Sequence, residues 1–351
     1  MIMKMPVYCK EFRCIADKCQ DNCCIGWEIN IDDSTAEYYK NVSGSFGCKL
    51  KSNISEGDSP SFILKEERCP FLNEENLCEI IINLGESKLC QICRDHPRYF
   101  EWFAHIKEGG IGLCCEEAAR LIVTNKEAFS TYETDCDDEG CDDYDERLYD
   151  MLSFAREQII ATLENDTLPL RERIALVIGY THEVQFLADN YCFEKVYVKE
   201  SYPIESITPD IRAFLEAFTK LEPIDDNWQN YLQRLIDSSD ALQNNLGTLE
   251  DSCDRYLKNI AVYFVWRYFL KGVYDEEIIS KIMLMAVSVA MIKLMYLNNS
   301  LSDSDINGDN ASLLAKSYSK ETEYSEENLE KIFDAVYDNS AFSCENILSI
   351  I

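Results

Sequence analysis

The chain contains 351 residues, of which 46% are hydrophobic and 11% aromatic, a composition typical of a packed globular protein with two or three domains. Its 64 acidic and 33 basic residues give a formal net charge of -31. Because so acidic a surface repels phosphate backbones, we expect no nucleic-acid partner, whereas a basic protein substrate would suit the charge.

Twelve of the seventeen cysteines lie within the first 115 residues, most of them closely spaced. Thiolates are soft metal ligands, and closely spaced thiols can place several sulfurs on one centre. A disulfide scaffold is disfavoured, because Met1–Lys10 is polar with no apolar signal segment after it and a chain of this size needs no cross-links. The odd number of cysteines also prevents complete pairing. We therefore expect a metal or iron–sulfur centre in a cytoplasmic protein.

Residues 1–125 are predicted to form an irregular cysteine-rich domain with short strand-like or helical pieces, such as Trp27–Ile31 and Ser61–Lys65. Metal-organised domains are often irregular, because the centre replaces part of the apolar core. Residues 126–147 are predicted to be an acidic linker, since nine of the fourteen residues from Glu133 to Glu146 are acidic and none is basic.

Residues 148–351 are predicted to form a helical bundle, because apolar residues recur every three or four positions, most clearly over Leu148–Ile159 and Leu257–Phe269. Further helices are predicted at about 170–190, 208–220, 227–242, 275–298 and 325–338. The apolar run Ile282–Ile292 is shorter than the about 20 residues of a membrane span, so we expect a buried core helix and no membrane partner. The predicted fold is mainly α, with the irregular cysteine-rich metal- or cluster-binding domain packed on the helical bundle.

Two acidic stretches match parts of a calcium-binding loop. Asp135–Glu146 has the acidic skeleton of an EF-hand, but an acidic linker produces such a match by chance. Asp303–Leu314 matches less well, because a leucine occupies the place of the bidentate glutamate. We interpret the first stretch as linker, and both matches as weak.

A glycine-rich segment and three histidines also have structural interpretations. Gly109–Gly112 lacks the strand–turn–helix context of a nucleotide-binding loop, and we interpret it as a turn that returns the chain to the cysteine centre. His96 and His105 lie among the cysteines, and His182 lies in a helical stretch. Structural roles are the more common outcome for all three.

Cysteine spacing alone leaves four-coordinate zinc and a cubane iron–sulfur cluster as alternatives, because both need about four thiolates. Several motifs nevertheless occur in a fixed order along the first third of the chain: Phe12-x-Cys14-x4-Cys19-x3-Cys23-Cys24-x2-Trp27, Cys69-Pro70-Phe71-Leu72, Leu77-Cys78-x-Ile80, Leu84-Gly85-Glu86, Cys93-Arg94-x2-Pro97-Arg98 and Cys115-x-Glu117-Ala118-Ala119-Arg120. Together they resemble the flagellin lysine-N-methylase (FliB) family, within the YkgJ-type cysteine-cluster proteins.

The resemblance implies S-adenosylmethionine-dependent methylation of lysine ε-amines on flagellin. It also implies an iron–sulfur cluster of the 4Fe-4S type, with zinc as the alternative. The cysteines that match the family pattern are the candidate metal ligands: Cys14, Cys19, Cys23, Cys24, Cys69, Cys78, Cys93 and Cys115. The cysteines outside the pattern are Cys9, Cys48, Cys90 and Cys114. His96 and Glu116 replace the tyrosine and proline usual in the family, and neither change removes a candidate ligand.

The sequence assigns no catalytic or methyl-donor-binding residue. Methylation needs a neutral amine in a dry pocket, where a carboxylate or tyrosine would help. The residues beside the cysteines that could line such a pocket are Trp27, Tyr99, Trp102 and Glu117. Packing of Trp27 and helix pairing of Glu117 are the structural alternatives. The cations expected to offset a thiolate-rich centre are Arg94, Arg98 and Arg120.

The alternative function is that of a non-catalytic zinc or iron–sulfur protein that binds a partner or senses redox state. Both interpretations use the same cysteines, so the presence of a centre alone would not separate them. Transfer of a methyl group to lysine would separate the two interpretations.

Overall fold

The order of helices and strands confirms a mainly α protein and adds a small sheet that the sequence did not predict. The computed structural model describes residues 1–20, 22–26, 28–55, 57, 59–103, 105–138, 144–203, 205, 207–249, 252–302 and 305–351. Trp27, residues 139–143 of the acidic stretch and Asp303 lie outside the described residues.

The sheet has four strands in the order β2-β3-β1-β4. Their bounds are Ile2–Pro6 for β1, Arg98–Phe103 for β2, Ile106–Ile111 for β3 and Thr131–Asp135 for β4. β2 and β3 form an antiparallel hairpin, while β1 pairs parallel with β3 and antiparallel with β4. The end strand β4 includes the first residues of the stretch predicted to be a linker.

Between β1 and β2, the cysteine-rich segment forms short helices joined by turns and isolated bridges. The helices are α1 (Asp33–Asn41), α2 (Gly44–Ser52), α3 (Glu79–Leu84) and α4 (Gln91–Asp95). They enclose a small apolar core of their own, which includes Ile29, Tyr39, Leu50, Phe62, Phe71, Ile80, Cys69 and Cys90. A core this small leaves room for a bound centre to contribute to folding.

Among the described residues after β3, β4 is the one strand and most of the others lie in helices. The helices are α5 (Glu116–Val123), α6 (Glu146–Leu163), α7 (Leu170–Asp189), α8 (Ile211–Ala217), α9 (Asp226–Asp237), α10 (Ser239–Asn245), α11 (Ser252–Tyr268), α12 (Gly272–Asp275), α13 (Ile278–Leu301), α14 (Gly308–Glu323), α15 (Glu326–Asp338) and α16 (Cys344–Ile350). From α6 onward these agree with the predicted helices, except that α12, α14 and α16 were missed and the segment 227–242 forms two helices.

Helix α13 lies at the centre of the larger core, in contact with α7, α11, α14, α15 and α16. By length and composition it could cross a membrane, alone among the described helices. However, 89% of its most apolar window is buried inside the protein. A helix that is apolar on all sides is expected in such a position. The prediction of a buried core helix here is confirmed.

The larger core extends beyond the helical segment into the N-terminal third. It includes Met5 of β1, Phe103 of β2, Ile111 of β3 and the inner face of α5. Apolar packing therefore groups the sheet with the helices, and leaves residues 24–93 around the small core. The predicted division at residues 125 and 147 stays a prediction.

A buried ion pair fixes the β2–β3 hairpin to the helices. Arg156 of α6 donates from Nη1 and Nη2 to the two carboxylate oxygens of Glu108, each at 2.6 Å, and both side chains are buried. The Arg156 guanidinium lies 4.2 Å from the ring centre of Trp266, whose Nε1 donates to the carbonyl of Gly109 at 3.0 Å. Such a bidentate pair is directional as well as strong.

Replacing Arg156 by methionine should leave the Glu108 carboxylate buried without its partner. We expect the free energy of unfolding in urea to fall by about 3–5 kcal/mol, the usual cost of breaking a buried pair. R147M, which removes an exposed pair with Asp145, should have no measurable effect. An R156M loss no larger than that of R147M would show that the pair does not hold the hairpin.

Candidate active site

A cleft of about 840 Å³ opens between the cysteine-rich segment and the helical core. Its aromatic lining comes from the β2–β3 hairpin and the residue after α14: Tyr99, Phe100, Trp102 and Tyr324. Carboxylates come from the cysteine-rich side: Asp32, Asp33 and Asp95. A concave, partly aromatic site with a few charged groups is the usual form of a small-molecule pocket.

Two glycines make room for the aromatic rings of β2. Gly109 and Gly110 lie in β3 opposite Phe100 and Tyr99, so the prediction of a turn over Gly109–Gly112 was wrong for them. A Cβ on Gly109 would lie 2.8 Å from Cδ1 of Phe100, and one on Gly110 would lie 2.4 Å from Oη of Tyr99. The rings therefore lie against bare backbone, which explains glycine in the middle of a strand.

Arg267 of α11 reaches the inner end of the cleft. Its Nη1 donates to Tyr263 Oη at 2.5 Å and to Glu323 Oε2 at 3.0 Å. Its guanidinium carbon lies 4.5 Å from the ring centre of Tyr99 and 5.3 Å from that of Tyr268. Ring contacts and charged hydrogen bonds together hold the guanidinium in one orientation.

Glu323 is the buried counter-ion of Arg267. Its side chain is fully buried, and Oε2 also accepts hydrogen bonds from Tyr263 Oη at 2.8 Å and Ser319 Oγ at 2.6 Å. Burial raises the pKa of Tyr263 well above its ordinary value, so the phenol stays protonated and can donate. Tyr263 Oη also accepts from the backbone N–H of Leu113 at 3.0 Å, which ties the turn before α5 to α11.

Beside the cleft, a group of thiols gathers around the small core. Cys90 and Cys93 lie at the start of α4 and share a hydrogen bond that lowers the pKa of Cys90 and raises that of Cys93. Burial, together with negative charge on Cys78, Cys90 and Cys23, raises the pKa of Cys69 to about 11. The thiols are therefore close enough to repel one another when ionised.

Cys23 connects this group to the cleft. Its pKa is raised first by a hydrogen bond with Cys24 and then by burial, while a hydrogen bond with His96 lowers it. Burial raises the pKa of Cys115, at the start of α5, to about 12, and charge on Cys114 or Cys23 acts in the same direction. Cys23 thus lies between the small-core thiols and those near α5.

The first two cysteines of the predicted ligand set lie nearer the surface. Cys14 is exposed after the first 3-10 helix, and Cys19 donates from Sγ to Glu116 Oε2 at 3.5 Å. Glu116 also accepts from the backbone N–H of Gln20 at 2.8 Å. The glutamate that replaces the usual proline of the family therefore fastens this loop to α5.

The donor chemistry of these thiols fits a soft metal centre, although the described residues do not form a closed site. Within the part of the chain that the structure describes, no three side chains of His, Cys, Asp or Glu are arranged to hold one metal ion. No disulfide joins two of the described cysteines either. Many sulfurs in one small region are suited to zinc or iron–sulfur binding. The eight predicted ligands stay a prediction.

Asp32 couples the thiol-bearing helix to the cleft wall. It caps α1 by accepting from Thr35 N at 3.0 Å, and accepts from Gln91 N, the first amide of α4, at 2.8 Å. Burial opposes its ionisation, but these N–H donors and Ser34 outweigh burial and hold its pKa well below the usual range. An ionised Asp32 thus favours both helix N-termini at once.

Of the predicted pocket residues, Tyr99 and Trp102 line the cleft. Glu117 pairs with Arg120 on the surface of α5, at 2.7 Å between Oε1 and Nη2. Arg98 lines the cleft with its guanidinium over the Phe12 ring, and Arg94 lies 4.0 Å from Asp95. Of the predicted cations, only Arg98 reaches the cleft.

The second calcium-like stretch has a structural explanation in its described part. Asn307 caps α14 by accepting from the backbone N–H groups of Asp309 and Asn310, at 2.9 and 3.1 Å. Oδ1 of Asn310 in turn accepts a hydrogen bond from Asn307 N at 2.8 Å, which completes a capping box. The Asx-Gly pattern therefore marks the start of a helix.

Sequence reasoning missed Arg267 of the cleft lining, the buried residues that hold it, and one buried thiol. Arg267, Tyr263 and Glu323 lie in the C-terminal half of the chain. The available signal for Arg267 was its position three residues after an apolar residue of the α11 stripe, which places it on the inward-facing side of the helix. Cys90, which lies outside the family pattern, is fully buried beside Cys93. Its C-x2-C spacing with Cys93 was the available signal.

Comparison with known proteins identifies the class. A family model described as the FliB lysine N-methylase C-terminal domain matches residues 156–350, more than half of the chain. The chain belongs to the FliB lysine N-methylase family. The match contains α11, which supplies Arg267 to the cleft, and α14, which supplies its buried counter-ion Glu323.

Individual relatives agree with this assignment. The chain is 26% identical over 136 residues to a lysine-N-methylase of Salmonella typhimurium, a match that covers 36% of this chain and 34% of the relative. It is 26% identical over 133 residues to the flagellar biosynthetic protein FliU of Salmonella muenchen, covering 36% of this chain and 79% of FliU. The chain thus matches about a third of the length of the lysine-N-methylase. No solved structure matches the chain.

Proposed function

We propose that this protein is a cytoplasmic protein-lysine N-methyltransferase that transfers a methyl group from S-adenosylmethionine to lysine ε-amines of flagellin. The observation that carries the proposal is the cleft, in which aromatic rings and carboxylates surround a space of about 840 Å³ in a chain of the FliB family. The relatives named lysine-N-methylase and FliU support the reaction and the flagellar substrate.

The lining suits the two cations that such a reaction brings together. The sulfonium of the methyl donor is stabilised by aromatic faces, which Trp102 and Tyr324 provide. The lysine ammonium is attracted by the carboxylates of Asp32 and Asp95. A net charge of -31 favours the approach of a lysine-bearing surface as well.

The chemical step is an in-line displacement. The ammonium first loses a proton, for which Asp33 and Asp95 are the available carboxylates, because N–H donors already hold Asp32 in its ionised form. The neutral nitrogen then forms a bond to the methyl carbon as the bond between that carbon and sulfur breaks. Positive charge passes from sulfur to nitrogen, and neutral S-adenosylhomocysteine leaves. The protein contributes orientation and a site for the proton.

We place an iron–sulfur cluster, with zinc as the alternative, on the thiols of the cysteine-rich segment. The residues that would hold it are those predicted: Cys14, Cys19, Cys23, Cys24, Cys69, Cys78, Cys93 and Cys115. When bound, the centre supplies cross-links that a small apolar core lacks. These cross-links would order α4 and the adjoining cleft wall, which includes Asp95 and His96.

Mass spectrometry of flagellin incubated with the protein and isotope-labelled S-adenosylmethionine tests the reaction. We expect labelled methyl groups on lysine, because the cleft provides for both cations. In the W102A variant, which removes an aromatic cleft wall, the rate should fall by about tenfold or more. F186A, which removes an exposed aromatic of α7 outside the cleft lining, should leave it unchanged.

Absence of labelled lysine with an intact metal centre would contradict the proposal and favour a partner-binding or redox-sensing protein. Equal rates for W102A, F186A and the unchanged protein would show that the protein methylates lysine at a site other than this cleft.

Elemental analysis of protein purified without oxygen tests the centre. We expect iron with sulfide, or zinc, in the unchanged protein and in C48S, because Cys48 is exposed on α2 outside the family pattern. In C69S the metal content should fall at least severalfold, since a buried thiol ligand is lost. Metal-free preparations, or C69S with full metal, would contradict the assignment.

A further inference from the structure

Arg267 presents unused hydrogen-bond donors to the cleft. Among the described residues, its hydrogen bonds to Tyr263 and Glu323 both come from Nη1. The set of buried polar atoms without a hydrogen-bond partner does not include Nε or Nη2 of Arg267. Arg267 also lines the cleft, with 16% of its side chain exposed. The outer edge of the guanidinium, formed by Nε and Nη2, therefore faces the open space.

We propose that this edge binds the α-carboxylate of the methyl donor, and so fixes the amino-acid end of S-adenosylmethionine at the inner end of the cleft. The proposal rests on the proposed function, because it assigns a subsite for that donor. A guanidinium edge and a carboxylate have matching geometry and form two parallel N–H···O bonds.

The surroundings of Arg267 prepare it for this role. Tyr99 covers one part of the guanidinium, while Tyr263 and Glu323 hold Nη1. A guanidinium fixed before the ligand arrives loses little side-chain entropy on binding, which increases affinity.

Local charge favours a carboxylate over a more highly charged anion. Glu323 already balances much of the charge of Arg267, so the site lacks the excess positive charge that would offset the desolvation of a phosphate dianion. The positive groups of the same ligand, its amine and its sulfonium, find carboxylates and aromatic rings elsewhere in the lining. A zwitterionic amino acid with an attached cation matches this arrangement.

The second cleft arginine is placed differently. The guanidinium of Arg98 lies 5.3 Å from the ring centre of Phe12, a residue that the cleft lining does not include. Arg98 belongs to β2, the strand that also contains aromatic residues of the cleft lining, whereas Arg267 belongs to α11. Arg98 therefore serves as the matched control for the loss of a cleft arginine.

Calorimetric binding of two ligands to the metal-loaded protein tests the proposal. S-adenosylhomocysteine carries the α-carboxylate, and 5′-methylthioadenosine lacks the whole amino-acid end. In R267Q we expect the affinity for S-adenosylhomocysteine to fall by about 10- to 100-fold, the effect of losing a charged bidentate bond. The affinity for 5′-methylthioadenosine should stay within about twofold, because it makes no such bond. R98Q should not show this selective loss.

Two further variants keep the test decisive if R267Q unfolds. R267K retains the charge but not the fork, and should weaken S-adenosylhomocysteine binding selectively as well. R267Q/E323Q removes both members of the buried pair, so no charge is left unpartnered in the core, and it should show the same ligand selectivity.

Equal losses for both ligands, or unchanged S-adenosylhomocysteine binding in R267Q, would overturn the subsite while the unchanged protein still binds the donor. If the unchanged protein binds neither ligand and methylates no lysine, the proposed function itself fails. The two failures are therefore distinguishable.

Discussion

The attachment of the β2–β3 hairpin to the helical core is the constraint on which the site depends. The buried Arg156–Glu108 pair and the Trp266–Gly109 hydrogen bond fix one strand of the hairpin against α6 and α11. The other strand of the hairpin, β2, contains Tyr99, whose ring packs on the bare backbone of Gly110 and contacts the guanidinium of Arg267. The cleft exists because the cysteine-rich segment, the sheet and the helices meet along this hairpin. The stability of the cleft and its chemistry therefore both depend on the residues of the hairpin.

The sequence predicted the helical part well, because its signals are local. Apolar periodicity located α6, α7, α11, α13 and α15, and a helix with apolar residues on every side was correctly expected to be buried. It missed α14, whose start is marked by the Asn307 capping box, because that stretch was compared with a calcium loop. The sheet was missed too, since three of its strands pair across more than ninety residues and β3 contains two glycines.

The site was predictable only in part. Family motifs around Cys93 and Pro97 pointed to the part of the chain that lines the cleft, and Tyr99 and Trp102 were selected for their nearness to the cysteines. Arg267 and Glu323 could not be found in this way, because they come from helices far along the chain and meet only through tertiary packing. Cys90 shows the same limit, since its burial beside Cys93 is a property of the small core. Residues that act together need not be neighbours in sequence.

Hydrogen–deuterium exchange with and without S-adenosylhomocysteine tests most directly whether this cleft is the methyl-donor site. We expect slower exchange on ligand addition in segments 91–103 and 112–115, which form the cleft wall and the turn beside Arg267, with no change in α15. Slower exchange confined to segments outside the cleft would contradict it, as would bound ligand without any change at residues 91–103.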